Sequence, residues 1–152
     1  MVNLLFPANL PLTIPGLASR SAFKKVPRGL NVGNILVIDD EAPMRRFVAM
    51  SLEKQGHAVF EAADGAEALR ILAERRIDLV ITDLLMPETD GIETILQLRQ
   101  LYPATKIIAI SGGGEYQSGK GFLRAAESLG ADRTLTKPFE FKELLPAVEA
   151  LL

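Results

Sequence analysis

Cysteine is absent from the 152 residues, which excludes disulfides and thiolate metal sites and suits a reducing cytoplasm. Long apolar runs are also missing: none reaches the length needed to cross a membrane, although 48% hydrophobic residues supply a real core. Histidine occurs once, at His57, and one histidine cannot make a metal site by itself. It reads as a surface or half-buried turn residue ahead of a strand. Acids are missing from residues 1–33, where Arg20, Lys24, Lys25 and Arg28 give +4. Since the whole chain carries −2, residues 34–152 carry −6. A domain this acidic is a poor partner for nucleic acid, but its acids can hold a divalent cation where they converge.

Residues 1–33 have no apolar period, and Pro7, Pro11, Pro15 and Pro27 interrupt every helix or strand they could start. They read as a flexible basic leader, or as an arm that touches a partner. A secretory signal fits poorly, because the positive charges follow the apolar stretch instead of preceding it.

From Asn34 onward the pattern becomes regular. Asn34 to Ile38 is a continuous apolar run closed by Asp39, Asp40 and Glu41, as expected of a strand buried on both faces. Pro43 suits the first turn of a helix, along which Met44, Phe47, Val48 and Leu52 repeat until Gly56. His57 to Glu61 makes a second strand, Asp64-Gly65 a turn, and Ala66 to Ala73 a helical stripe. Asp78 to Thr82 is a third apolar run closed by Asp83. After a loop at Pro87 and Asp90-Gly91, Ile92 to Leu101 gives a helix, and Lys106 to Ile110 a fourth strand followed by Ser111-Gly112. A helix around Tyr116 to Leu129 ends at Gly130, Thr134 to Thr136 is a fifth strand, and Phe139, Leu144, Leu145, Val148 and Leu151 line a last helix. Strands alternating with helices predict an α/β domain, residues 34–152, with a parallel sheet covered on both sides. Ligands in such sheets bind beyond the carboxyl ends of the strands.

The strand ends therefore carry the chemistry. Asp39, Asp40 and Glu41 follow the first strand, Asp83 the third, Ser111 the fourth and Lys137 the fifth. Acids meeting at one edge repel one another, and Mg²⁺, which takes oxygen ligands from one or two carboxylates, relieves that repulsion. Lys137 adds a fixed positive charge, and Ser111 with the glycines after it offers O–H and N–H donors to an oxyanion. Together they describe phosphoryl transfer to a carboxylate, a reaction carried by positioning and electrostatics. Each residue alone has a plainer reading: Asp40 as the cap of the helix near Pro43, Ser111 and Lys137 as surface side chains. The joint placement on different strands favours the site. Arg45-Arg46 and Arg75-Arg76 read as solvated helix faces, and Met44, Met50 and Met86 as packing residues.

The segments ILVIDDE at 35–41, DLVITDLLMPETDGIE at 78–93, IIAISGGG at 107–114 and TKPF at 136–139 closely resemble the receiver domain of two-component response regulators. The resemblance implies a flavodoxin-like (βα)₅ fold, a doubly wound five-stranded parallel sheet in the order 2-1-3-4-5. It implies that Asp83 is the phosphoacceptor and that Asp40, Asp83 and the backbone carbonyl of Leu85 ligate Mg²⁺, with Asp39 acting through a metal-bound water. Ser111 and Lys137 would contact the phosphoryl group, and the Lys137–Pro138 peptide would be cis. A histidine kinase or histidine phosphotransfer protein would donate the phosphoryl group, and a downstream protein would read the result. The last helix lies where the family often forms homodimers. Since Leu152 ends that helix, a stand-alone receiver in the cytoplasm is expected, working by protein contact or as a relay or phosphate sink.

Two features depart from the family. The aromatic switch residue lies three positions before the lysine, where this chain has Thr134. The loop SGGGEYQSGKG is glycine-rich and is expected to be the mobile element, with Tyr116 a substitute for the missing ring. An aspartate-nucleophile phosphatase of the haloacid dehalogenase type needs a DxD arrangement after the first strand, whereas positions 39–41 read Asp-Asp-Glu. A flavin binder needs a hydroxyl-rich phosphate loop there instead of acids. A receiver kept only as a non-phosphorylated scaffold would not need all of Asp39, Asp40, Asp83, Ser111 and Lys137.

Overall fold

The computed structural model describes residues 31–86, 91–112 and 118–152, without the side chains of 118–120 and 122. Residues 1–30, most of the expected leader, lie outside it, as do Tyr116 and the centre of the glycine-rich loop.

Ten elements alternate along the chain: β1 (Asn34–Ile38), α1 (Ala42–Glu53), β2 (Ala58–Ala62), α2 (Gly65–Glu74), β3 (Leu79–Asp83), α3 (Gly91–Leu101), β4 (Lys106–Gly112), α4 (Ser118–Leu129), β5 (Arg133–Lys137) and α5 (Phe141–Leu151). The strands form one parallel sheet in the order β2-β1-β3-β4-β5, the flavodoxin-like arrangement expected.

Period-two alternation explains why the central strands are apolar throughout. Leu36, Ile38, Val80, Ile107 and Ala109 face one side, where Ala68 and Leu72 of α2, Ile95 and Leu98 of α3 and Ala126 of α4 cover them. Ile35, Val37, Leu79, Ile81, Ile108 and Ile110 face the other, under Val48 and Leu52 of α1 and Leu144 and Val148 of α5. Each fully buried Leu or Ile contributes about 1.5–3 kcal/mol relative to exposure. The two edge strands, β2 and β5, are less buried and carry Glu61, Arg133 and Thr134 among their residues.

Local signals set the boundaries. Asp64, read as part of a turn, is the N-cap of α2: its Oδ1 accepts the Glu67 N–H at 2.8 Å, while Glu67 Oε2 accepts the Ala63 N–H at 2.9 Å. Gly130, with φ +114°, ends α4 in a conformation that side chains disfavour. Gly91 answers a different demand. A Cβ there would lie 2.5 Å from Leu84 Cα and 2.7 Å from the Asp83 carbonyl oxygen, so only glycine lets α3 begin against the end of β3. The Lys137–Pro138 peptide is cis.

Four sequence readings need correction. His57, expected as a surface or half-buried turn residue, is buried: its Nδ1 accepts the Gly33 N–H at 3.3 Å, where the chain enters β1. Burial lowers its pKa, against a smaller upward pull from Glu149. Met50 is exposed, because α1 turns it and Phe47 away from the sheet. Phe139 packs on the core from the segment before α5, not from the helix. Arg45 is no solvated side chain, as described below.

Candidate functional site

The strand register brings the expected residues to one edge. Ile38 pairs with Thr82, so Asp39 and Asp83 leave β1 and β3 side by side. Asp83 pairs with Ile110, Ser111 with Thr136, and Gly112 with Lys137, so β4 and β5 end together, two residues beyond the end of β3. Strand β4 runs two residues further than its apolar run, which places Ser111 inside the ladder and buries it.

At this edge Asp39, Asp40 and Asp83 each offer a carboxylate oxygen within 4.8 Å of the others. Asp39 and Asp83 are buried, and Asp40 is exposed. Lys137 Nζ bridges the buried pair, 2.7 Å from Asp83 Oδ2 and 3.2 Å from Asp39 Oδ2. The second oxygens are held by backbone: Glu41 N–H donates to Asp39 Oδ1 at 2.8 Å, and Leu85 N–H to Asp83 Oδ1 at 2.9 Å. The main chain of β3 is pinned in turn, since Leu84 N–H donates to the Ile110 carbonyl at 2.8 Å.

The electrostatics follow from crowding. Burial pushes the Asp39 carboxyl above its ordinary value of 3.8 and the charge on Asp83 adds to this, although the Glu41 N–H and Lys137 oppose it. Burial also works against the Lys137 ammonium, but the hydrogen bond and charge of Asp83, then those of Asp39, outweigh it and raise its pKa. Three ionised carboxylates against one ammonium leave two negative charges, which one divalent cation balances. The oxygen-only donor set fits a hard cation such as Mg²⁺.

Ser111 supplies a further sign of a ligand site. It has zero exposure, and its Oγ has no hydrogen-bond partner among the described residues. An unpaired buried hydroxyl is costly, and such groups gather where a ligand completes them. Asp40 is not the cap of α1. The cap position is Glu41, which makes no side-chain cap bond, and among the described residues the Asp40 carboxylate has no hydrogen bond. Thr134, standing where the family has its aromatic, donates its hydroxyl hydrogen to Glu127 Oε1 of α4 at 2.8 Å.

One residue of this region escaped sequence reading. Arg45 Nη1 donates to the Asp39 carbonyl at 2.6 Å, and its Nε lies 3.4 Å from Glu61 Oε2. Helical side chains lean toward the N-terminus, which carries Arg45 back over the first turn. Its position as the fourth residue of a helix that follows three acids was the available signal.

Comparisons agree with this geometry. The chain is 42% identical over 123 residues to the Transcriptional regulatory protein ResD of Bacillus subtilis, covering 80% of this chain and 49% of that protein. It is 35% identical over 120 residues to the Phosphate regulon transcriptional regulatory protein PhoB of Pseudomonas aeruginosa, covering 78% and 51%. The chain thus spans about half the length of the curated relatives it matches. Among solved structures, the Vibrio cholerae chemotaxis protein CheY4 superposes with a TM-score of 0.70 at 30% identity, over 80% of this chain and 100% of that one. Residues 35–149 match the profile described as Response regulator receiver domain, and the chain belongs to that family.

Proposed function

We propose that Asp83 accepts a phosphoryl group and that the chain works as a Mg²⁺-dependent signalling switch. The observation that carries this reading is the convergence of three carboxylates, the bridging Lys137 and the unpartnered Ser111 hydroxyl on one sheet edge. Asp40, Asp83 and the Leu85 carbonyl would hold Mg²⁺ directly, and Asp39 through a water. Mg²⁺ bound there supplies positive charge against the phosphoryl oxygens as negative charge builds on them.

The chain's own groups do the rest. An Asp83 carboxylate oxygen attacks phosphorus, an O–P bond forms, and the N–P bond to the donor imidazole breaks with its electron pair returning to nitrogen. Lys137, hydrogen-bonded to Asp83 Oδ2 at rest, moves onto a phosphoryl oxygen. The Ser111 hydroxyl donates to another. A histidine kinase or histidine phosphotransfer protein is the donor, as family membership supports. The added charge of about −1.5 to −2 biases the β4–α4 region between two states that a downstream protein reads. The chain catalyses only its own phosphorylation and dephosphorylation. A cytoplasmic site of action suits the cysteine-free composition and the phosphohistidine donor, and among the described residues no helix is long and apolar enough to cross a membrane.

The test is mass spectrometry after incubation with Mg²⁺ and acetyl phosphate. Wild type is expected to gain about 80 Da as an aspartyl phosphate, and Asp83→Asn to gain nothing. An adduct that persists in Asp83→Asn moves the acceptor elsewhere, and an unmodified wild type removes the reading.

A further inference from the structure

The adjacent arginines of α1 separate in the fold. Arg46 lies at the surface, with Nη1 2.8 Å from Glu61 Oε1 and 3.4 Å from Glu53 Oε1. Arg45 is drawn under it, with a side chain 18% exposed and a carbonyl partner at 2.6 Å; its buried Nε makes no hydrogen bond and meets Glu61 Oε2 only as an ion pair at 3.4 Å. Glu61 of β2 thus meets both guanidiniums, one on each oxygen.

The carbonyl that Arg45 holds belongs to Asp39. The other groups of Asp39 are already engaged: its N–H donates to the Ala62 carbonyl at 3.2 Å, Oδ1 accepts from Glu41 and Oδ2 from Lys137. Its carbonyl lies in the same rigid plane as the N–H of Asp40. A clamp on that oxygen therefore sets the direction from which the Asp40 side chain departs. Asp40 depends on this clamp, because among the described residues no hydrogen bond holds its exposed carboxylate.

We propose that Arg45 is a positioning residue for the cation site, anchored by Glu61, and that it presents the Asp40 carboxylate beside Asp83. The proposal rests on the Mg²⁺ reading above. Arg45 touches neither the cation nor the phosphoryl group. Its loss should weaken Mg²⁺ binding without altering the chemistry once the site is filled.

Calorimetric titration of the full chain with MgCl₂ reads this directly. Arg45→Met is expected to weaken Mg²⁺ binding about tenfold or more, the usual effect of removing an outer support of a metal ligand. Its thermal midpoint in EDTA should stay close to wild type, and Arg45→Lys should recover part of the affinity. In the acetyl phosphate assay, the Mg²⁺ concentration for half-maximal labelling should rise in parallel, while the rate at saturating Mg²⁺ returns to that of wild type. Unchanged Mg²⁺ affinity in folded Arg45→Met overturns the proposal, as does a lowered saturated rate with an unchanged Mg²⁺ requirement. Should Arg45→Met not fold, Glu61→Gln frees the guanidinium and carries the same test, with a weaker Mg²⁺ affinity expected and an unaltered one fatal. A wild type that binds no Mg²⁺ overturns the cation reading itself. A wild type that binds while Arg45→Met binds equally overturns only the role of Arg45.

Discussion

At the end of the sheet where β3 begins, the Asp78 carboxylate accepts the Asn34 N–H at 2.9 Å and pairs with Arg76 at 3.6 Å. Nearby, Asp132 Oδ2 accepts from Arg99 at 2.6 Å and from the Ile107 N–H at 2.8 Å. Arg99 also donates to the carbonyls of Thr105 and Gly130, both at 2.7 Å, and so staples α3 to the turns entering β4 and β5. At the opposite end, where β3 finishes, Asp39 and Asp83 share one lysine, Asp40 has no partner among the described residues, and Ser111 is buried without one. Both ends hold acids. At one end hydrogen bonds and arginines use them up in holding the fold. At the other they are held in place but left under-neutralised. That difference, more than the number of acids, separates a structural cluster from a site that awaits a cation and an oxyanion.

The comparison can be broken by removing a cation. Lys137→Met leaves two buried carboxylates facing each other and removes the group meant for the phosphoryl oxygen. The rate of adduct formation from acetyl phosphate should fall about 10²–10³-fold, the range for losing one such stabilising group. A rate within a few-fold of wild type would place Lys137 among the structural residues instead.

Swapping acids for amides sharpens the contrast. Asp132→Asn weakens charged hydrogen bonds to Arg99 and Ile107, and should lower unfolding stability by about 2 kcal/mol in urea denaturation. Its rate of phosphoryl uptake should match wild type. Asp39→Asn should do the reverse. Its folded pKa is raised, so the stability it contributes is present below the ordinary carboxylate value of 3.8 and is lost as pH rises through the raised value. Removing that charge should add about 1 kcal/mol at neutral pH while weakening Mg²⁺ binding, a trade of stability for function. Equal losses of stability in both variants would erase the distinction between the two ends.

The smallest effect concerns His57, at the structural end. Its folded pKa is lowered, so the stability it contributes is present above the ordinary value of 6.5 and is lost as pH falls through the folded value. Thermal midpoints of wild type should therefore decline as pH drops below about 6.5, the unperturbed histidine value. His57→Gln, which keeps an acceptor for the Gly33 N–H, should lose that part of the decline. An identical pH profile in both proteins would leave His57 out of the stability of this edge.

Much of this was legible in the residues. Apolar runs such as ILVI and LVIT announce strands covered on both sides, and the polar residue closing each run falls at the sheet edge by construction. What stayed hidden depended on distant partners. Arg45 and Arg46 are neighbours with the same composition signal, yet one holds Asp39 and the other stays at the surface, because Glu61 of β2 meets both while the β1–α1 turn offers its carbonyl to Arg45 alone. The glycine of the Asp90-Gly91 pair reads as a turn residue, whereas its requirement is the backbone of Asp83–Leu84 lying against it. Helix α5 runs through Pro146, which local propensity alone would not favour, because Leu144 and Val148 are fully buried on either side.

The sequence by itself determined the order of elements, the parallel sheet and the types of group at its carboxyl edge, since periodicity and strand ends are local properties. Only the tertiary structure decided which acids are spent and which remain available. Hydrogen-bond satisfaction depends on residues dozens of positions away, as between Lys137 and Asp39 or Arg99 and Asp132, and no local pattern encodes it.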